Sequence, residues 1–364
     1  MKKIISILLI FCFLPFFAYA EEVPEINSLA AVLINAETGE ILYSKNHDEK
    51  LPMASTTKIM TALLTLEEEN LDEKFTVNPD AIRVEGTSMG LREGDKISLY
   101  ELSVGMLLSS GNDAARAAAF KISGSEEAFL QKMNERASLL GLKNTNFETA
   151  TGLDKEGHGS SALDMALLGA HALENELFKN LTSQKSVSVC FGNPEIKRTL
   201  YNHNKLLLLD DDIIGVKTGY TKKAGRCLVS AKEKDGVRLV AVTLKASDDF
   251  NTHLKLFDYG FSKVKETSFK EESFSLPLVG GDKETISLSA SQKTVFHTGE
   301  IETRIYLPKF IYAGVKKGDV LGEKKFFSCG KEIDSVPIVA SEDADIFKKK
   351  NFFDRIWDFF KKIF

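Results

Sequence analysis

The sequence predicts an α+β protein: an antiparallel sheet with flanking helices and a helical subdomain over residues 21–265, a small sandwich-like all-β domain over 266–342, and an amphipathic helix over 343–364. Three observations carry this. Apolar residues recur at helical spacing through much of 56–173, apolar strand pairs with tight turns lie at both ends of that region, and beyond about Lys265 short alternating segments replace the helical signal. A chain of 364 residues with 43% hydrophobic and 27% charged content has material for two cores.

The first twenty residues stand apart from the rest. Lys2 and Lys3 precede an apolar stretch from Ile4 to Phe17, and Ala18-Tyr19-Ala20 forms an A-x-A cleavage site before Glu21. This reads as a secretory signal peptide over 1–20, with an apolar part too short for a comfortable membrane span. The expected location is therefore the extracytoplasmic face of the cytoplasmic membrane, or the periplasm if an outer membrane exists. Losing Lys2 and Lys3 takes the formal charge from −5 to −7, which argues against nucleic acid as a partner.

Residues 28–44 read as two apolar strands joined by a turn at Glu37-Thr38-Gly39. Helices are expected from Thr56 to Glu68, Glu101 to Leu108, Asp113 to Ile122, Glu126 to Leu140 and Ser161 to Leu173, the last opening with Ser161 and Asp164 in capping-box spacing. The stretch "CLVSAKEKDGVRLVAVTLKA" places a strand on each side of Asp235-Gly236, and this pair is expected to join the early hairpin in one antiparallel sheet. "TISLSAS", "ETRIYLP", "DVLGEKKFF" and "SVPIVAS" supply the strands of the β domain.

The chain closes with "DIFKKKNFFDRIWDFFKKIF". On a helical wheel Phe352, Phe353, Ile356, Trp357, Phe359, Phe360, Ile363 and Phe364 fall within an arc of roughly 160°. From Lys348 onward six Lys or Arg stand against two Asp. An aromatic face ringed with lysines suits the plane of a lipid interface, so the stretch reads as a peripheral anchor on the membrane surface.

Cys12 leaves with the leader, and Cys190, Cys227 and Cys329 remain. Three thiols without a C-x-x-C indicate neither a disulfide framework nor zinc; a Cys190–Cys227 pairing stays open, and at least two are expected to be buried free thiols. The six histidines show no H-E-x-x-H spacing and are read mostly as surface or loop residues, with His158 shaping the Gly-rich "KEGHGSS". A Ser-His-Asp triad finds no histidine singled out for it. No metal or organic cofactor is implied.

The chemistry concentrates in "PMASTTKIMTALL". Ser55 and Lys58 stand three apart where an apolar helical run begins, so hydroxyl and amine share a helix face and can meet. S-x-x-K alone is weak, since Ser262–Lys265 and Ser328–Lys331 repeat it. Its company strengthens the first copy: Ser110-Gly111-Asn112 follows in a loop between two helices, and Lys217-Thr218-Gly219 follows that in "IIGVKTGYT". The ordered trio is the signature of serine β-lactamases and penicillin-binding proteins.

With S-G-N in the middle, the chain resembles the low-molecular-mass penicillin-binding proteins, the serine D-alanyl-D-alanine carboxypeptidases of peptidase family S11. "TGLDKEGHGSSALDMALL" looks like that family's segment between its second and third motifs, and a β domain followed by an amphipathic helix is its usual layout. The resemblance implies a β-lactamase/transpeptidase-like catalytic domain, peptidoglycan stem peptides ending in D-Ala-D-Ala as substrate, and β-lactams as covalent inhibitors. Ser55 would be the nucleophile and Lys58 its general base, its pKa lowered by burial and by Lys217 across the cleft. Ser110 would relay a proton to the leaving amine, and Asn112 would hold the substrate's peptide group or Lys58. Lys217 and Thr218 would receive the terminal carboxylate, Gly219 would clear space for substrate along the strand edge, and the amides of Ser55 and Tyr220 would form the oxyanion hole.

Three other readings are compatible with these motifs. A D,D-endopeptidase uses the same machinery. A class A β-lactamase needs a glutamate in an E-x-x-L-N setting, and Glu174 offers only "ENELF". An idle cell-wall binding scaffold would keep the fold without the activity.

Overall fold

Asn35 ends strand β1 (Ser28–Asn35), and its Oδ1 accepts from the amides of Glu37 (3.0 Å) and Thr38 (3.1 Å), closing the expected turn into β2 (Ile41–Lys45). The structure, a computed structural model, describes residues 23–347. The predicted leader and the amphipathic stretch from Lys348 therefore lie outside the described residues.

The expected helix from Thr56 begins differently. A 3-10 turn, Ala54–Thr57, feeds α1 (Lys58–Leu66), because the hydroxyls of Thr56 and Thr57 donate back to the carbonyls of Met53 (2.6 Å) and Ala54 (2.8 Å) and tighten the first turn. Two short strands, β3 (Phe75–Thr76) and β4 (Lys96–Ile97), come next, then α2 (Leu99–Leu107), α3 (Asn112–Ser123) and α4 (Glu126–Leu139). α5 (Ala162–Ala172) opens with Ser161 accepting from the Asp164 amide at 3.1 Å. The Asp164 carboxylate does not complete a capping box. It accepts instead from the Asn144 amide (2.6 Å) and the Thr145 hydroxyl (2.8 Å), tying down the loop before the helix.

α6 (Glu176–Ser183) leads to the hairpin β5 (Ser186–Gly192) and β6 (Glu195–Tyr201), which completes a four-stranded sheet β3-β4-β5-β6 that the sequence did not suggest. β7 (Ile213–Thr221), β8 (Gly225–Lys234) and β9 (Val237–Ala246) then join the first hairpin in the order β2-β1-β9-β8-β7, antiparallel throughout. Side chains alternate across this sheet. Val32, Ile34, Val229, Val240 and Val242 pack with α1, α3 and α5, whereas Leu33, Leu228 and Leu239 pack with Leu256 and Phe257 of α7 (Asp249–Ser262). β7 is left as an edge strand beside the 3-10 turn, and that edge is where the motifs meet.

β10 (Lys265–Phe269), β11 (Glu272–Val279), β12 (Thr285–Ala290), β13 (Lys293–His297), β14 (Ile301–Tyr306), β15 (Ile311–Tyr312), β16 (Val320–Ser328) and β17 (Lys331–Ala340) form a six-stranded sheet, β14-β16-β17-β12-β11-β15, and a separate pair, β10-β13. Their own core includes Leu288, Phe326 and Ile338. Residues 343–347 were expected to begin a helix and are extended instead. Ala344 bridges Val315 and Ile346 bridges Gly281, and burial of the Ala344 side chain in the β core holds them there. Asn35 Nδ2 donates to Thr298 Oγ1 at 3.0 Å and links the two parts.

The three cysteines among the described residues are free, and of these only Cys227 is buried; Cys190 lies on the outward face of β5 and Cys329 in an exposed turn. The histidines are also less exposed than expected, since His158, His253 and His297 are buried. His253 sits between the hydroxyls of Ser230 (2.5 Å) and Thr243 (2.9 Å), and burial pushes its pKa down to about 3. Hydroxyl partners on both ring nitrogens are what allow an imidazole in that core.

Candidate active site

The residues around Ser55 are held by backbone geometry that few sequences tolerate. Ala54 adopts φ +49, and the loop carrying Gly152 (φ +86) lies so close that a Cβ at 152 would stand 2.0 Å from the Ala54 carbonyl oxygen. A hydrogen-bond chain fixes the same turn from behind. The Glu148 amide donates to His158 Nδ1 (3.1 Å), so Nε2 carries the ring proton and donates to Thr57 Oγ1 (2.9 Å), which donates to the Ala54 carbonyl (2.8 Å). Burial lowers the His158 pKa to about 4 and keeps this ring neutral.

Lys58 reaches three acceptors. Its Nζ lies 3.0 Å from Ser55 Oγ, 2.6 Å from Asn112 Oδ1 and 2.6 Å from the Thr151 carbonyl oxygen. Two of these can only accept, so they fix two N–H bonds, and the third position points at the serine. With no proton there, the lone pair faces the Ser55 hydroxyl. Lys58 is fully buried, and its pKa is held well below the usual lysine value, first by burial and then by the Lys217 charge, with Asp113 opposing.

Asn112 opens α3, and its Nδ2 donates to the Glu85 carbonyl at 2.7 Å, so the side chain is oriented from both ends. Its neighbour Asp113 accepts from Ser88 Oγ (2.5 Å) and from the amides of Met89 (2.9 Å), Gly90 (3.0 Å) and Leu91 (3.0 Å), which pins the loop over the cleft. Ser110 sits at φ +60, lines the cleft, and makes no side-chain hydrogen bond among the described residues.

Lys217 follows on β7. It is 1% exposed, its Nζ donates to the Thr218 carbonyl at 3.1 Å, and burial alone lowers its pKa to about 7. It lies beneath the cleft surface, where its charge adds positive potential. Thr218, Gly219 and Tyr220 line the cleft from β7, and the Tyr220 ring is 67% exposed. Gly219 has a packing reason to be glycine as well. A Cβ there would stand 2.9 Å from the Ser55 amide nitrogen and 3.1 Å from the Met53 carbonyl oxygen, so the missing side chain admits the enzyme's own turn.

The result is a cleft of about 540 Å³ with Ser55, Thr87, Ser110, Thr218 and Tyr220 on its walls. Sequence reasoning missed Thr151, Gly152, Asp113, His158 as a partner of the Ser55 turn, and Arg226. Glycine beside threonine in "TGLD" was the one available signal, and the aspartate after S-G-N carried none. Glu174, the glutamate a β-lactamase would need, is paired with His171 Nδ1 at 2.9 Å, is exposed, and is not part of the cleft. No group of three or more His, Cys, Asp or Glu suited to a metal occurs among the described residues.

Comparison with known proteins gives the same direction. The sequence profile of Peptidase S11, described as D-alanyl-D-alanine carboxypeptidase, matches residues 18–248. D-alanyl-D-alanine carboxypeptidase DacF of Bacillus subtilis (strain 168) is 34% identical over 94% of this chain and 95% of its own length. DacC of Escherichia coli (strain K12), of the same description, is 34% identical over 93% of this chain and 88% of its own. Among solved structures, penicillin binding protein 5 from Haemophilus influenzae superimposes with a TM-score of 0.64 at 29% identity, covering 89% of this chain and 99% of that one. With three separated motifs gathered at one strand edge and relatives matched along nearly their whole length, the chain belongs to the peptidase S11 family, the D-alanyl-D-alanine carboxypeptidases.

Proposed function

We propose that this protein removes the terminal D-alanine from peptidoglycan stem peptides through an acyl-enzyme on Ser55. The observation that carries the reading is the Lys58 amine, buried without a carboxylate at hydrogen-bond distance and aimed at Ser55 Oγ from 3.0 Å. Neutral Lys58 takes the hydroxyl proton as Oγ attacks the carbonyl carbon of the penultimate D-alanine. The C–N bond then breaks, and the proton passes by way of Ser110 to the departing amine. Water attacks the ester with Lys58 again accepting its proton, and free serine returns.

The developing oxyanion is assigned to the amides of Ser55 and Tyr220, which the Gly219 contact draws together. Thr218 faces the cleft and Lys217 supplies positive potential beneath it, both favouring a substrate that ends in a carboxylate. A β-lactam carbonyl would acylate Ser55 by the same route and stay bound as the ester. D,D-endopeptidase activity shares every one of these groups.

Release of D-alanine from an N-acyl D-Ala-D-Ala peptide tests the reading. Wild type is expected to release it and to become labelled by a fluorescent penicillin, and Ser55→Ala to do neither; equal release by the two would overturn the assignment. Rapid loss of the label by hydrolysis would favour a β-lactamase, and absence of both signals in wild type an idle scaffold.

We further infer a secreted protein held peripherally at the outer face of the cytoplasmic membrane. The support is sequence alone: the leader-like 1–20 and the aromatic, lysine-rich face beyond Lys348. Deleting residues 348–364 is expected to leave D-alanine release intact and free the protein from membranes; a truncated form that still sediments with membranes would refute the anchor.

A further inference from the structure

The cleft does not stop at Tyr220. Across the strand pair Tyr220 of β7 faces Arg226 of β8, and Arg226, Asp249 and Phe250 extend the lining to the first turn of α7. Cross-strand partners project from the same side of a sheet, so Arg226 stands over the same face as Thr218 and Tyr220. An arginine at the rim of a cleft ordinarily samples many rotamers. This one is held. Its Nε (2.9 Å) and Nη2 (2.5 Å) both donate to Oδ1 of Asp249, a carboxylate 3% exposed, and its Cζ lies 5.6 Å from the Phe250 ring centroid.

These contacts occupy one side of the guanidinium and leave its end available. Nη1 donates to no other group among the described residues, and the side chain stays 46% exposed. A preorganised guanidinium end, presenting Nη1 and the second hydrogen of Nη2, matches the two oxygens of a carboxylate. Lys217 lacks that access, being buried with its amine turned to the Thr218 carbonyl.

We propose that Arg226, positioned by Asp249 and Phe250, receives the free carboxylate of the departing residue and thereby sets the requirement for a free C-terminus. The inference rests on the carboxypeptidase reading and assigns its specificity to a residue outside the three motifs. Lys205 also lines the cleft and is the competing cation.

The test compares two N-acyl-D-alanyl thioesters, one with thioglycolate as leaving group and one with ethanethiol, so that only the first carries the carboxylate while both react readily. In Arg226→Gln the ratio of kcat/KM for the acid over the neutral ester is expected to fall about tenfold to a hundredfold, the range of a hydrogen bond to a charged group, mainly through KM of the acid. Hydrolysis of the neutral ester reports that the variant is folded and competent. Arg226→Lys is expected to restore part of the ratio, and Asp249→Asn, which loosens the guanidinium, to give an intermediate loss. A ratio unchanged in Arg226→Gln, or lost in Lys205→Gln instead, overturns the inference. If wild type releases no D-alanine from the dipeptide, the carboxypeptidase reading fails first, and the thioester ratio still reports on Arg226.

Discussion

Of the buried lysines, two in different parts of the molecule, Lys58 and Lys324, are handled in opposite ways. Lys324 on β16 of the β domain is 7% exposed, with its Nζ 2.7 Å from Glu272 Oε2 and lying over the rings of Phe269 (5.4 Å) and Phe326 (5.8 Å). It has a counter-charge and two aromatic faces, which makes its burial a structural arrangement. Lys58 has neutral acceptors only, and the nearest cation, Lys217, is buried as well. Burying an amine with no carboxylate at hydrogen-bond distance works against folding, and it leaves Lys58 with a pKa well below the usual lysine value, Asp113 opposing the shift only from farther off. The β domain uses charge to hold strands together, whereas the Ser55 site leaves its buried amine without an ion-pair partner, which is what the proposed base requires.

The largest effect is expected where that amine is removed. Lys58→Met keeps much of the volume and deletes the proposed base, so the rate of acylation by D-Ala-D-Ala peptide and by penicillin is expected to fall on the order of 10²- to 10⁴-fold, the usual reach of general base catalysis. Stopped-flow acylation with a fluorescent penicillin would measure it. Near-normal acylation would break the comparison at its centre, because the uncompensated amine would then have no chemical purpose.

A second experiment sharpens the electrostatic half. The proposed mechanism needs neutral Lys58, so the rate is expected to fall as pH drops through the Lys58 pKa. The Lys217 cation disfavours a proton on Lys58 and keeps that pKa low. Lys217→Gln removes the repulsion, raises the Lys58 pKa, and is expected to move the acid limb of the kcat/KM profile to higher pH. Below that limb each unit of movement reads as about a tenfold loss of rate at fixed pH. A limb that stays in place would mean that burial alone sets the Lys58 pKa.

What the letters disclosed follows the same division. Ser55, Lys58, Asn112 and Thr218 were legible because the chemistry names the residue type, and a hydroxyl three positions from an amine at a helix start is a geometric statement. The Thr151 carbonyl was not, since any residue offers one; only the fold places it 2.6 Å from Lys58. Gly219 and Gly152 were visible as glycines, yet the atoms they make room for belong to a turn about a hundred residues or more away. Arg226 needed the pairing of β7 with β8, and β7 was not read as a strand. Four strands of the large sheet, β1, β2, β8 and β9, were expected from apolar runs around two tight turns, whereas β7 was not. The β3-β4 pair has two residues in each strand, too few to show any period. Residues 343–347 read as helix because charge and aromatics continue past them, but the pairing of Ala344 with Val315 overrides that local pattern.

The smallest effect is expected at Lys324, and it is the control that gives the comparison its meaning. Lys324→Met exchanges an ammonium for a thioether of similar length that can still lie on Phe269 and Phe326. Glu272 loses its partner but keeps solvent, since its side chain is 43% exposed. The loss is therefore that of a partly exposed ion pair, about 1 kcal/mol or less, which for two coupled domains of this size corresponds to a shift of roughly 2–4 °C in the thermal midpoint. D-Alanine release is expected to be unchanged, because the pair touches neither the Ser55 turn nor β7. Thermal unfolding followed by circular dichroism, run beside the release assay, separates the outcomes. A large fall in activity with a small fall in stability would mean that the β domain's lysine is coupled to the cleft, and that compensated burial is not as inert as the contrast with Lys58 requires.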